Sequence, residues 1–314
     1  MESIVLILPY FGKFRADNSF WVKSAELNTT VDFLIITDQL LNSKSPNIHV
    51  VNMSFHECVG LFRKKLSLEL NHLYPYKLCD FKPAYGFIFQ EYISTYDFWG
   101  HCDNDLILGD IRHFITDDVL ACHDRILTRG HFTLYRNNDE VNRMFMKVNP
   151  SYNIVFNSEE IFHFDEHPGT GGYWLEINRN KTYDKIIFDD LDWRIYLFSD
   201  VHKRRTIDKA RQYFIYSFEN GKLFRYFWEK GKVGREEIMY VHFQKRQLKV
   251  CTEVANRFII VPNRIVANKG YIDFTFLKEN VKNKLWYRPW HFIRMKSRSF
   301  ISRTRRKLAH LITI

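Results

Sequence analysis

The sequence predicts an α/β fold, a mixed and mostly parallel sheet flanked by helices. Three observations predict it. Short continuous apolar runs recur through the first hundred residues, each the length of a buried strand. Segments of helical character separate them, which is the spacing of a parallel sheet built from crossovers. With 46% hydrophobic and 17% aromatic residues in 314, the chain can fill one large core or two small ones, and wholesale disorder is excluded.

Residues 4–9 form the first apolar run, stopping at Pro9 before Tyr10-Phe11-Gly12, a strand passing into a loop. A helix is expected over 19–28. A second strand over 31–38 closes on Asp38, and a β-branched third covers 47–53. Residues 83–93 read as a helix that tolerates Pro83 in its first turn, with Asp80 just ahead. The aromatic run 96–102 then ends in Asp103-Asn104-Asp105, and a second apolar run follows directly. A helix over 111–120, a strand over 131–135 and one helix within 137–162 come next. His167-Pro168-Gly169-Thr170-Gly171-Gly172 is the strongest loop signal. Further strands are expected over 194–198, 212–218, 222–228, 236–243 and 258–261. No linker divides residues 1–275, read as one catalytic body with halves 1–130 and 131–275, followed by a tail over 276–314.

Charge separates body from tail. Residues 281–314 hold ten Lys/Arg and no Asp/Glu, which leaves 36 basic against 36 acidic residues before them and accounts for the net charge of +10. A neutral body speaks against nucleic-acid binding. Trp290, Ile293, Phe300, Ile301, Leu308, Leu311 and Ile312 fall near one helical stripe between arginines, the pattern of a basic amphipathic helix on an anionic membrane surface; a basic helix docked on the body is the competing reading. The five cysteines are scattered and contain no Cys-x-x-Cys, so reduced thiols are expected rather than a disulfide framework or zinc cage. No signal peptide is read at Met1–Pro9, and no apolar run reaches the roughly 18–20 residues of a membrane span. The expected location is cytoplasmic, peripheral on the inner face of the plasma membrane.

Chemistry is concentrated in Asp103-Asn104-Asp105. Two carboxylates one residue apart at a strand end can reach one hard cation. Mg²⁺ or Mn²⁺ held this way keeps positions open for phosphate oxygens. A polar turn between two strands is the plain alternative.

Cys79-Asp80-Phe81-Lys82-Pro83, the run from Tyr96 to Asp105, and Met239-Tyr240-Val241-His242-Phe243-Gln244-Lys245-Arg246 together resemble the donor-site regions of bacterial nucleotide-sugar glycosyltransferases. These are the GT-A-type enzymes, of Rossmann-like fold, that build capsule, O-antigen and lipopolysaccharide. The resemblance covers residues 1–130 and 236–248. It departs from the common pattern at Phe98-Trp99, where many relatives carry Gly-Gly, and at Lys82, where many carry Arg. It implies that Asp103, Asp105 and His242 hold Mn²⁺ or Mg²⁺. It further implies that Pro9, Tyr10, Phe11, Asp38, Asp80, Lys82, Asp103, Asn104 and Lys245 surround a nucleotide-sugar donor, expected to be UDP-linked, with Arg246 an alternative to Lys245. Asp165 or Glu166 would be the general base toward a saccharide or lipid-linked acceptor if the enzyme inverts. Asp189-Asp190-Leu191-Asp192 reads as a solvated helix start, and Trp99, Trp174 and Trp193 as core residues. A phosphohydrolase with an Asp-x-Asp site and a polyanion-binding protein remain the alternatives.

Overall fold

The computed structural model describes residues 1–147, 151–165, 181–191, 212–244 and 247–281. The expected strand over 194–198, the loop 167–172, Trp174, Trp193, Glu166, Lys245, Arg246 and the tail beyond Val281 lie outside these residues.

Sixteen strands occur among the described residues. In chain order they are β1 Ile4–Tyr10, β2 Asp32–Thr37, β3 Ile48–Asn52, β4 Phe98–Cys102, β5 Leu106–Leu108, β6 Arg125–Arg129, β7 Phe132–Arg136 and β8 Thr182–Tyr183. They continue as β9 Asp189–Asp190, β10 Gln212–Glu219, β11 Lys222–Glu229, β12 Lys232–Ile238, β13 Tyr240–His242, β14 Lys249–Val250, β15 Arg257–Val261 and β16 Arg264–Ala267.

They form three sheets. The first has the order β3-β2-β1-β4-β7-β6-β8. Its strands β3, β2, β1 and β4 run parallel, as the buried runs predict, while β7 turns antiparallel against β4. The second sheet is small, β5-β13-β9, and the third is six-stranded, β12-β11-β10-β15-β16-β14. The fold is therefore mixed α/β, but the mostly parallel reading holds only for its first half. From β10 to β12, and again from β15 to β16, hairpins replace crossovers. Asn220-Gly221 and Lys230-Gly231 all take positive φ, which two-residue turns between twisted strands require.

Helices cover the first sheet. Asn18–Glu26 follows β1, and its Trp21, Val22 and Ala25 pack with Ile4, Leu6 and Phe33. Phe55–Leu66, absent from the sequence reading, begins with a reciprocal cap in which Ser54 and Glu57 satisfy each other's backbone N–H. The helix expected over 83–93 is instead a 3₁₀ segment, Pro75–Ala84, followed by two short α turns. The helix expected over 111–120 is likewise split, into Ile111–Phe114 and Asp117–Cys122. Trp99 is buried as expected. It fills the space over Gly86, where an added Cβ would lie 2.2 Å from the indole. Its Nε1 donates to Asn142 Oδ1 at 2.6 Å. At Gly100 a Cβ would meet the Thr133 carbonyl oxygen at 2.4 Å, so only glycine lets β4 and β7 approach.

Helix Phe274–Val281 runs across the expected boundary at 275/276, and its Leu277 is buried with Ile215, Ile259 and Val261. No helix among the described residues is long and apolar enough to cross a membrane.

Candidate metal and diphosphate site

The site lies where β4 leaves the first sheet. Asp103 N donates to His131 O at 3.0 Å, which keeps the end of β4 on the edge of β7. Three residues later, at Leu106, the chain enters β5 and the second sheet. There β5 pairs antiparallel with β13, Leu106 opposite His242, and Phe243 N donates to Asp105 O at 2.9 Å. This pairing carries His242 across 137 positions of sequence to the Asp-x-Asp pair.

His242 Nε2 is 3.3 Å from Asp105 Oδ1. Asp103, Asp105 and His242 each offer one ligand atom, all within 4.8 Å of one another. The donor set suits Mn²⁺ or Mg²⁺: two hard carboxylates with one imidazole, and side chains only 34%, 11% and 9% exposed. Burial alone would lower the His242 pKa, but Asp105 and then Asp190 outweigh it and push it up to about 10. Without a cation, the imidazolium is the positive charge nearest Asp105.

Asp190 was missed in the sequence as a site residue, and so was His131. Asp189-Asp190 is not a helix start but the short strand β9, parallel to β13. Asp190 Oδ1 lies 2.9 Å from His242 Nδ1 and accepts from Gln244 Nε2 at 2.7 Å. His131 stacks on the His242 ring, centroids 4.2 Å apart at 21°. Burial, reinforced by His242 and Lys82, holds the His131 pKa well below the usual imidazole value. Asp190 also belongs with His131 and His242 to a second set of mutually close ligand atoms. Nothing local in the sequence marks His131, and Asp190 carries only the mark of a carboxylate cluster; both are delivered by pairing between distant segments.

Two cations flank the carboxylates. Lys82 Nζ donates to Asp103 Oδ1 and Gly130 O, both at 2.6 Å, and sits 3.4 Å from Asp165 Oδ2. Burial opposes its charge, but Asp103 and Asp165 raise its pKa well above the usual value. Arg15, also unread in the sequence, approaches Asp105 Oδ2 at 4.0 Å while forking onto Asp17 at 2.6 and 2.9 Å. Asp17 in turn accepts from Leu248 N at 3.0 Å, tying the loop after β1 to the segment after β13.

The remaining expected residues divide. Asn104 Nδ2 donates to Asn18 Oδ1 at 3.2 Å and fixes the turn. Asp38 is exposed at the end of β2, its Oδ1 shared between Gln39 Nε2 at 2.7 Å and Gly12 N at 3.5 Å. Tyr10, half-buried, stacks on Phe14 at 4.8 Å beside that loop, and Pro9 is held in β1 opposite Ile36. Phe11 is a correction: it is buried edge-on against Phe55, a core lid rather than a platform for a base.

Asp80 is a second correction. Fully buried, it pairs with Lys77 at 2.7 Å and accepts from Phe162 N and Phe164 N, both at 3.0 Å. No face of it is left for a donor. It instead straps the segment that presents Asp165 to Lys82. Asp165 itself is buried and held by that ammonium, which suits it to positioning Lys82 more than to taking an acceptor proton.

The model of one protein family, described as a family of unknown function (DUF6625), matches residues 6–269. No curated protein matches the chain.

Proposed function

The chain belongs to the DUF6625 family of unknown function, and from its site we propose a metal-dependent glycosyltransferase that moves a sugar from a nucleotide-sugar, UDP-linked, to a saccharide or lipid-linked acceptor in bacterial surface-polysaccharide synthesis. The observation that carries this reading is the meeting of Asp103, Asp105 and His242 beyond the carboxyl end of a parallel strand. Ligands of open α/β sheets bind at that edge. The GT-A-like resemblance is supported further by the order β3-β2-β1-β4-β7 and by the small sheet that joins β5 to β13.

In the transfer, the bond from the anomeric carbon to the diphosphate oxygen breaks, and a bond to the acceptor oxygen forms. Negative charge accumulates on the leaving diphosphate. A bound Mn²⁺ or Mg²⁺ supplies Lewis-acid neutralisation of that charge. The chain's own contribution is a preorganised field. Lys82 is fixed beside Asp103 by three oxygens, and Arg15 is held toward Asp105 by Asp17. Exposed Asp38 offers a carboxylate to ribose or base next to Tyr10. Glu166 remains the expected base of an inverting enzyme; a retaining one needs none there. The tail 281–314 serves as a membrane-surface anchor, and its deletion should abolish liposome binding while UDP binding survives.

Calorimetry tests the reading. UDP should bind only with Mn²⁺ or Mg²⁺ present, and binding should collapse in Asp105→Ala. Metal-independent UDP binding overturns the site, and phosphate release from simple phosphomonoesters would favour a hydrolase. A panel of nucleotide-sugars, assayed for metal-dependent hydrolysis, then identifies the sugar.

A further inference from the structure

We infer that Asp190 is the positioning residue of the metal site: it holds His242 by Nδ1 so that Nε2 alone faces Asp103 and Asp105. The inference rests on the reading of Asp103, Asp105 and His242 as metal ligands, and extends it to a residue outside that set.

The geometry decides between two uses of Asp190. Its carboxylate could itself be a ligand, grouped with His131 and His242, or it could act from behind the ring. His242 directs Nδ1 to Asp190 at 2.9 Å and Nε2 to Asp105 at 3.3 Å. These nitrogens are on opposite sides of the imidazole, so one cation cannot be shared by Asp105 and Asp190 through this ring. The His131 ring lies nearly parallel to that of His242, so the in-plane lone pairs of the two rings do not converge, and His131 Nε2 is engaged with Tyr240 Oη at 3.0 Å. Asp190 therefore belongs behind the ligand. A ligating histidine whose other nitrogen is held by a carboxylate is fixed in tautomer and direction.

The support continues outward through β9. Successive strand residues face opposite ways, and Asp189 turns from the site into the third sheet. There its two oxygens take Tyr216 Oη at 2.8 Å and Arg225 Nη1 at 2.5 Å. Arg225 is itself buried and also bonds Glu236. The dipeptide thus anchors on one face and aims His242 with the other. Stacking by His131 limits rotation of the ring, and Gln244 holds the same oxygen of Asp190.

Mn²⁺ binding by the full chain, followed by electron paramagnetic resonance with UDP present, tests this. Wild type should bind, Asp105→Ala should not, and Asp190→Asn should bind about 10-fold to 100-fold more weakly while its melting temperature stays near wild type. Asp190→Asn binding as tightly as wild type overturns the inference but leaves the metal site standing. Wild type that binds no Mn²⁺ overturns both. A second measurement needs no variant. In ¹⁵N-labelled wild type with Mg²⁺ and UDP, the ring proton of His242, assigned by its loss in His242→Asn, should sit on Nδ1. A proton on Nε2 overturns the inference.

Discussion

The Lys82 ammonium lies 2.6 Å from the Asp103 carboxylate, so the first acidic residue of the Asp-x-Asp pair is already neutralised from inside the protein. A cation arriving at the site competes with that ammonium for Asp103, whereas a diphosphate arriving with the cation gains from it. Lys82→Met should therefore separate the two ligands. Mn²⁺ alone should bind at least as tightly as to wild type, while UDP with Mn²⁺ should weaken about tenfold, the loss of one charged hydrogen bond. Urea unfolding should show a loss of about 3 kcal/mol, because Asp103 and Asp165 are left without their buried partner. Equal weakening of both ligands would make Lys82 merely structural.

Asp80 offers the opposite pattern. Asp80→Asn breaks the buried pair with Lys77 and disturbs two backbone bonds to the 162–164 strap. About 3 kcal/mol of stability should be lost, with the UDP affinity of the folded fraction unchanged. A variant that melts normally yet no longer binds UDP would return Asp80 to the donor site.

At Asp38 the expectation is binding without stability. The side chain is exposed and makes only local bonds, so Asp38→Ala should change unfolding free energy by no more than about 0.5 kcal/mol. UDP affinity should drop about tenfold if the carboxylate holds ribose or base. Titration of uridine, UMP and UDP against the variant would show whether the loss is already present in the nucleoside.

The pH dependence of the metal-free chain follows from His242. Its pKa stands at about 10 in the fold, against about 6.5 unfolded. A raised cationic group contributes stability that is fully present below about pH 6.5 and is lost as pH rises toward 10. Melting temperature should fall across that window, and the fall should shrink in His242→Asn. Mn²⁺ must displace this proton, so its apparent affinity should climb by about tenfold per pH unit in the same range. Calorimetry in buffers of different ionisation enthalpy should record about one proton released per cation; none released would contradict the His242 ligand.

The centre of the first sheet was legible because β1 and β2 are nearly unbroken apolar runs, and burial on both faces writes itself into sequence. Ser54 and Glu57 carry an equally local signal for the helix Phe55–Leu66, which the strand pattern around it obscured. Asp103 and Asp105 were legible as adjacent carboxylates, and His242 only through the resemblance of its surroundings. Asp190, His131 and Arg15 were not, because each enters the site through a tertiary pairing: β9 with β13, one ring on another, a fork onto Asp17. Phe11 and Asp80 failed for the converse reason. Their residue types suit a ligand, but the core and the strap 162–164 claim them first.

The three residues Asp103-Asn104-Asp105 begin with a backbone bond to one sheet and end with a backbone bond to another. A cation gripped by Asp103, Asp105 and His242 would act as a rivet through that seam. Occupancy should then be felt far from any sugar. Proteolytic nicking and amide exchange in the hairpins β10–β12 should slow when metal and nucleotide are supplied, giving an assay for donor recognition that requires no knowledge of the acceptor.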